Sequence, residues 1–78
     1  MIWVISLKTR IRELREDRDI PQKVIADFLR CDQSLYSKYE LEKREIPLYI
    51  IMKLALYYNT SVDYLVALTD NPLPYERR

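Results

Sequence analysis

The chain of 78 residues contains no glycine, and this absence limits the folds that are open to it. Glycine most easily takes the positive φ angles that tight two-residue β-hairpins need. Folds built from short hairpins are therefore disfavoured, whereas helices joined by short polar turns are not. Strand-like patterning is confined to residues 2–5, while apolar residues at helical spacing recur along the rest of the chain. The sequence predicts an all-α protein.

Five helices are predicted from the apolar spacing and from helix-start signals. Ser6, Asp32 and Ser61 are suitable N-cap residues, and Pro21 suits the first turn of the second helix. The predicted helices span residues 7–17, 21–29, 33–40, 48–58 and 62–68. Most of the loops between them are short, as is usual between packed helices. The predicted fold class is a compact five-helix bundle.

The chain divides into three predicted parts. Residues 1–6 form an apolar N-terminal extension, residues 7–68 form the helical domain, and residues 69–78 form a tail that is ordered only if it docks. The extension is too short for a signal peptide or a membrane span, and it lacks a cleavage site. A cytoplasmic protein without a membrane partner is therefore expected.

Composition excludes several functional classes. The chain has no histidine and one cysteine, so neither a metal site, a cofactor nor an internal disulfide is expected. The same absence leaves no recognisable nucleophile–base pair, and an enzyme is not expected. Thirteen basic residues against twelve acidic ones give a net charge of +1, which by itself does not indicate nucleic acid. Cys31 is expected to be a buried structural thiol.

The second and third predicted helices form a candidate helix-turn-helix unit, because a turn of only three residues joins them. The third helix separates its side chains into two groups on opposite sides. The polar group is Gln33, Ser34, Ser37 and Lys38, and the apolar group is Leu35, Tyr36 and Tyr39. Such polar side chains can bond to base edges in the major groove. A merely solvated amphipathic helix would show the same pattern, so the spacing leaves both interpretations open.

Several segments, taken in order, resemble the XRE family, the helix-turn-helix domains of phage lambda-type repressors and Cro. They are IRELR at 11–15, Gln22 with IA at 25–26 and Leu29, SKYE at 37–40, KR at 43–44, KLA at 53–55 and SVDYL at 61–65. All fall at the family's spacing without a gap. The resemblance implies a lambda-repressor-like bundle and a sequence-specific transcriptional regulator, a repressor, that binds double-stranded DNA in the nucleoid of a bacterium or on a phage genome.

The resemblance also implies roles for individual residues. The implied base-reading residues are Gln33, Ser34, Ser37 and Lys38, and the implied contacts to the DNA backbone are Gln22, Lys43 and Arg44. Gln22 would either bind a phosphate or buttress the recognition helix. Arg15 and Glu40 correspond to a partly buried structural ion pair that touches no base. Arg30, in the turn of the motif, could reach a further phosphate.

A homodimer on a pseudo-palindromic operator is expected from the family's habit, with recognition helices one turn of DNA, about 34 Å, apart. The fifth helix and the loop before it carry more apolar surface than a small monomer needs. The predicted dimer interface consists of Tyr57, Tyr64, Leu65 and Leu68.

Some positions depart from the family pattern. Asp19, Arg30, Glu42 and Asn59 stand where the family often has glycine. A positive φ would cost Arg30 about 1 kcal/mol or more, whereas Asn tolerates it well. The turn at Arg30 would therefore either differ slightly or be strained. Asp32, which would cap the third helix, and Glu42 also place negative charge near the DNA backbone.

Val24 and Phe28 lie four apart on the second helix, at positions that are usually polar in the family. Residues 2–5 could fold over this apolar strip, or the strip could bind a partner protein. Together with Asp32, Glu42 and the near-neutral charge, it keeps a second hypothesis open. In that hypothesis the same fold is a protein-interaction module, resembling an antitoxin or an anti-repressor, that binds DNA weakly or not at all.

Overall fold

A computed structural model describes residues 9–74 of the chain. Five helices and no strands occur in that range: α1 Ile11–Asp17, α2 Gln22–Leu29, α3 Gln33–Glu40, α4 Leu48–Tyr57 and α5 Val62–Leu65. The predicted all-α bundle of five helices is confirmed. The predicted N-cap Ser6 and the apolar segment at residues 2–5 lie outside the described residues, as do residues 75–78 of the predicted tail.

The first helix begins later than predicted. Thr9 and Arg10 are not helical, and Arg10 is the N-cap residue of α1, so the predicted start of this helix at residue 7 is wrong. The backbone N–H of Arg10 donates to the carbonyl of Leu65 at 2.8 Å. This bond ties the chain to the end of α5 immediately before α1 begins. Pro21 likewise precedes α2 as its N-cap instead of forming its first residue.

The fifth helix is shorter than predicted because its C-terminus closes early. Ser61 caps its start as predicted, accepting a hydrogen bond from the Tyr64 N–H at 3.0 Å. Ala67 then takes a left-handed conformation with φ 63°. The N–H of Leu68 reaches back to the carbonyl of Asp63 at 2.8 Å, a Schellman arrangement that ends a helix. The predicted extension of the helix to Leu68 is therefore wrong.

All five helices end in the same way, although no glycine is available. Within residues 9–74, the residues with positive φ are Asp19, Arg30, Glu42, Asn59 and Ala67, one after each helix. The following N–H in each case bonds to a carbonyl five residues earlier, with donor–acceptor distances between 2.8 and 3.1 Å. Four of these positions were predicted from the family's glycines. A left-handed backbone costs most non-glycine residues roughly 1–2 kcal/mol, so these helix ends are strained except at Asn59, since asparagine tolerates the conformation.

A single core joins the helices, and each helix contributes one fully buried side chain to it. These residues are Ile11, Ile25, Tyr36, Leu54 and Leu65, each 0% exposed. Because protein interiors are close-packed, the packing of these five side chains in one core fixes the helices relative to one another. Truncating such a side chain to alanine typically costs about 2–5 kcal/mol. The core thereby sets the position of α3, on which the candidate site depends.

The segment after α5 is bonded to the helical body as far as Pro72. Arg10 holds it through two hydrogen bonds, from Nη1 to the Thr69 carbonyl and from Nη2 to Asp70, both at 2.8 Å. The same guanidinium lies 4.2 Å from the centre of the Tyr64 ring, a favourable cation–π distance. Thr60 Oγ1 donates to the Pro72 carbonyl at 2.6 Å. The contacts of Arg10 with Tyr64, Leu65, Thr69 and Asp70 are named here the Arg10 clasp. The clasp joins the first and last parts of the described chain.

None of the helices in residues 9–74 has the length and the apolar character that crossing a membrane requires.

Candidate nucleic-acid interface

Helices α2 and α3 are joined by a tight turn at residues 30–32. The Arg30 N–H donates to the Asp27 carbonyl at 3.1 Å, and the Cys31 N–H donates to the Ala26 carbonyl at 3.0 Å. Arg30 itself adopts φ 58° and ψ 44°. Of the two outcomes expected for this turn, the strained one occurs. The result is a helix-turn-helix unit of two eight-residue helices.

The two sides of α3 are sorted as the sequence predicts. Its buried residues are Tyr36, Tyr39 and Glu40, with Leu35 half-buried. Gln33, Ser34 and Lys38 are exposed and Ser37 is half-buried. The structure therefore brings the four candidate base-reading residues together on the side of α3 that faces away from the core.

A buried polar network anchors the C-terminal end of α3. Arg15 and Glu40 form a bidentate ion pair, with Nε–Oε2 at 2.6 Å and Nη2–Oε1 at 2.9 Å. Arg15 Nη1 also donates to the Ile20 carbonyl at 2.9 Å. Gln22 Nε2 donates to Glu40 Oε1 at 3.0 Å. Of the two roles proposed for Gln22, its amide therefore makes the buttressing contact.

Electrostatics keep the network ionised. Burial of the Glu40 side chain, which is 1% exposed, alone would raise the pKa of that carboxyl. Hydrogen bonds from Arg15 and Gln22 outweigh this effect, so the pKa of Glu40 is lowered. The hydrogen bond to Glu40 likewise raises the pKa of Arg15. Both partners therefore remain charged at neutral pH, and α1, α2 and α3 are held together by charge-assisted bonds.

Basic side chains lie at both ends of α3. Arg30 precedes the helix, while Lys43 and Arg44 follow it, and all three are exposed. A helix of eight residues is about 12 Å long, so the cations bracket the polar side of α3. None of them forms an ion pair within residues 9–74. Glu42 is exposed beside the basic pair, as the sequence predicts.

Two predictions for the turn need correction. Asp32 is the N-cap residue of α3, but its side chain makes no capping hydrogen bond. Asp32 is exposed, although its backbone is extended as at the capped start of α5. Cys31 is half-buried, not fully buried, since the turn lies at the edge of the core. Burial, with a smaller effect of Asp32, raises the pKa of its thiol, which favours the protonated form.

The four residues predicted for the dimer interface do not form one exposed surface. Leu65 is fully buried in the chain's own core, so it has no surface to offer a partner. Tyr64 is half-buried and covered by Arg10. Tyr57 is 36% exposed and its ring lies 4.7 Å from that of Phe28. Leu68 is 76% exposed.

The apolar strip on α2 is partly covered by α4. Val24 and Phe28 are 45% and 42% exposed, and Phe28 contacts Tyr57. Residues 2–5, which could extend this cover, lie outside the described residues.

Two features of the structure were missed from the sequence. The first is the Arg10 clasp, which has no local pattern because its partners are about 60 residues away. The second is the exposed side of α4, where Leu48, Met52 and Leu56 lie open to solvent. A signal for it was present, since α4 contains one charged residue in ten. Among residues 9–74, no group of three or more Cys, Asp or Glu side chains is placed to hold a metal ion.

Comparison with known proteins places this geometry in a family. A family model described as Helix-turn-helix matches residues 11–65, from the start of α1 to the end of α5. The chain is also similar to YobD of Bacillus subtilis (strain 168), an uncharacterized HTH-type transcriptional regulator, with 36% identity over 69 residues. The alignment covers 88% of this chain and 62% of the relative. The chain thus spans less than two thirds of the length of the curated relative that it matches.

Proposed function

Because the chain belongs to the XRE-type helix-turn-helix family whose model matches residues 11–65, we propose that it is a DNA-binding transcriptional regulator. One observation carries the proposal. Helix α3 is fixed on its buried side by the Arg15–Glu40 pair, while its other side presents polar side chains to solvent. A rigid helix with a free polar side is what insertion into the major groove of DNA requires.

Base recognition is assigned to four residues of α3. Gln33 would bond to N6 and N7 of adenine, and Lys38 would donate to O6 and N7 of guanine. Ser34 and Ser37 would each bond to either kind of base edge. Their common position on the exposed side of one anchored helix supports this assignment.

Contacts to the DNA backbone are assigned to residues around α3. Lys43 and Arg44 would bind phosphates beyond its C-terminal end and Arg30 before its start, and such contacts fix the register of a protein on the duplex. Gln22 lies in the first turn of α2, where a helix N-terminus favours a phosphate. Its Nε2 is already engaged with Glu40, so Gln22 would position the recognition helix and meet the phosphate through its backbone N–H.

We propose further that two copies bind a pseudo-palindromic operator and repress by occupying it. Half-sites one helical turn apart match a two-fold symmetric protein. The name of the Bacillus relative, an HTH-type transcriptional regulator, supports regulation as the broader activity. The place of action would be the cytoplasm, on nucleoid or phage DNA. No catalytic activity is proposed.

A second candidate function is favoured by the apolar strip of Val24 and Phe28, which stays about two-fifths exposed. A protein-interaction module, of the antitoxin or anti-repressor kind, would use such a surface. Its net charge of +1 would also suit a partner other than DNA. Binding that is independent of salt would favour this candidate, because phosphate contacts release counterions.

The test is selection of bound sequences from random duplex DNA, followed by affinity measurements at two salt concentrations. The expected result is an enriched pseudo-palindrome whose affinity falls steeply as salt increases. The Lys43→Ala chain should bind all sequences more weakly, with a salt slope reduced by about one. If no sequence is enriched and binding is weak at both salt concentrations, the regulator proposal is wrong and the interaction module takes its place.

A further inference from the structure

The exposed side of α4 is unusual for a surface helix because it is almost entirely apolar. Lys53 is the one charged residue among its ten residues. Its buried residues are Ile50, Ile51, Leu54 and Ala55. Leu48, Met52 and Leu56 are nevertheless 63%, 53% and 62% exposed. A helix that is apolar all round is ordinarily buried all round, but no other part of residues 9–74 covers this side of α4.

The three exposed residues, named here the α4 strip, form a continuous line. They are four residues apart and lie within an arc of about 80° around the helix axis. Tyr49 borders the strip and is 61% exposed. Lys53 lies about 100° away from Met52 around the helix, and its ammonium is 6.0 Å from the centre of the Tyr49 ring. The charge is thus at the border of the strip and not within it.

We propose that the α4 strip binds a second copy of this chain, with the two α4 helices antiparallel about a two-fold axis at Met52. The strip consists of a leucine, a methionine and a leucine at equal spacing, so it is the same in both directions. A two-fold axis at its centre places Leu48 against the partner's Leu56. A contact between identical surfaces must be self-complementary in this way, and a different partner protein would not require that symmetry.

The size of the strip sets the strength of the contact. The three residues of the strip and the bordering Tyr49 are exposed by 53% to 63%, and these four side chains offer on the order of 100 Å² each, or about 800 Å² in two copies. This area is below the standard size for stable complexes and typical of small, reversible ones. Dissociation in the micromolar range is therefore expected. Two half-sites on one duplex would then strengthen the dimer by holding both copies at high effective concentration.

The α5 region is a weaker alternative for the same contact. Leu65 is fully buried and Tyr64 is covered by Arg10, which leaves Leu68 as an isolated exposed leucine. The dimer rests on the proposed function in one respect, because a pseudo-palindromic operator requires two copies. Its contact, however, is a property of the protein alone and is measurable without DNA.

The first test is sedimentation equilibrium of the full chain between 1 μM and 1 mM, with three single substitutions. Met52→Glu places two like charges at the two-fold axis and should raise the dimer dissociation constant at least tenfold. Leu73→Glu, a matched change at a residue that is 68% exposed elsewhere, should leave it within twofold. Leu68→Glu tests the α5 alternative and should also leave it unchanged. A monomeric wild type at 1 mM, or a loss of dimer in Leu68→Glu but not in Met52→Glu, would overturn the proposal.

The second test examines the antiparallel register and also serves if Met52→Glu does not fold. Leu48→Glu adds a carboxylate at the N-terminal end of α4 and Leu56→Lys adds an ammonium near its C-terminal end, where each agrees with the helix dipole. In an antiparallel dimer of the two variants, the carboxylate introduced at position 48 of one chain lies next to the ammonium introduced at position 56 of the other, and the two attract each other. A mixture of the two chains should therefore associate at least fivefold more tightly than either chain alone. Equal or weaker association of the mixture would overturn the register.

The outcomes also separate this dimer from the proposed function. A dimer that binds no DNA leaves the contact standing and removes the regulator. A monomer that binds a specific DNA sequence supports the regulator and overturns the α4 contact.

Discussion

Helices α3 and α4 bury one side each in the same core, but their exposed sides have opposite chemistry. The exposed side of α3 carries Gln33, Ser34 and Lys38, whereas that of α4 carries Leu48, Met52 and Leu56. The buried sides differ too. Glu40 of α3 enters an ion-pair network, while the buried residues of α4 are all apolar.

The difference indicates two kinds of partner. A polar exposed side can exchange its bonds to water for bonds to base edges, and it is stable in water until it does. The free energy of an apolar exposed side falls when any surface covers it and removes it from water. In the proposed regulator, α3 therefore selects the DNA sequence and α4 brings the second copy. The predictions below test this division, from the largest expected effect to the smallest.

The buried side of α3 depends on the network around Glu40. Arg15→Ala leaves a carboxylate that is 1% exposed without its main partner, and such a change costs about 3 kcal/mol. A fall in melting temperature of about 10 °C or more is expected, measured by circular dichroism.

The control for that variant is Arg12→Ala, which removes the exposed pair with Glu16 at 2.6 Å. Its cost should stay below about 1 kcal/mol because surface pairs are weak. Equal melting temperatures for the two variants would contradict the anchoring role of Arg15.

The exposed cations of the two helices should differ in their effect on DNA. Lys38→Ala on α3 should cost about 1–3 kcal/mol on the selected sequence and relax specificity at one position. The same change on α4, Lys53→Ala, should leave affinity for that sequence unchanged. Binding of both variants to the selected duplex and to scrambled duplexes is the measurement. A uniform loss on all sequences for Lys38→Ala would reduce its role to a backbone contact.

Two buried groups, Glu40 of α3 and Tyr58 at the end of α4, should cost stability at opposite ends of the pH range. The lowered pKa of Glu40 means that the native state binds fewer protons than the unfolded chain around pH 4. Its contribution to stability is then fully present above about pH 4.3, the ordinary glutamate pKa, and is lost as the pH falls below it. At the end of α4, burial raises the pKa of Tyr58 to about 12, so stability there is lost only as the pH rises above about 10.

Urea midpoints measured from pH 3 to pH 7 test the acid limb. Glu40→Gln should flatten the dependence, since amides do not titrate. An unchanged slope in that variant would assign the acid sensitivity to other carboxylates.

The smallest effects are expected at the C-terminal ends of the same two helices. α3 is followed by Glu42 at φ 60° and α4 by Asn59 at φ 52°. Glu42→Gly should stabilise the protein by about 1 kcal/mol, because glycine accepts this backbone without strain. Asn59→Gly should change stability by only a few tenths, because asparagine tolerates the conformation. Equal gains, measured by urea unfolding, would contradict strain at Glu42.

The Glu42→Gly variant should also bind DNA more tightly, because the change removes an acidic side chain beside Lys43.

Much of α3 could be predicted from the sequence because its two sides differ in polarity. The alternation of Tyr36 and Tyr39 with Ser34 and Lys38 indicates both its bounds and its orientation. The positions of Asp19 and Glu42 could be predicted because the family's spacing marks where helices end. The contacts of α3 with DNA bases and the pseudo-palindromic operator are still predictions.

The exposed side of α4 and the true ends of α1 and α5 could not be predicted in the same way. Apolar periodicity indicates which side of a helix is buried only where the other side is polar. In α4 the exposed side carries the apolar residues Met52 and Leu56, so the two sides do not differ in polarity. Ala67 gives no turn signal, since alanine favours helices, although it ends α5 at φ 63°. The start of α1 depends on a bond from Arg10 to Leu65, which no local pattern records.

That bond belongs to the Arg10 clasp, which makes the two ends of the described chain one mechanical unit. The backbone of Arg10 holds the end of α5, and its side chain holds Thr69 and Asp70. Because one residue takes part in both sets of bonds, a disturbance of residues 69–72 would also reach the residue immediately before α1. Amide protons at both ends should therefore exchange with solvent together, as a single opening event distinct from global unfolding.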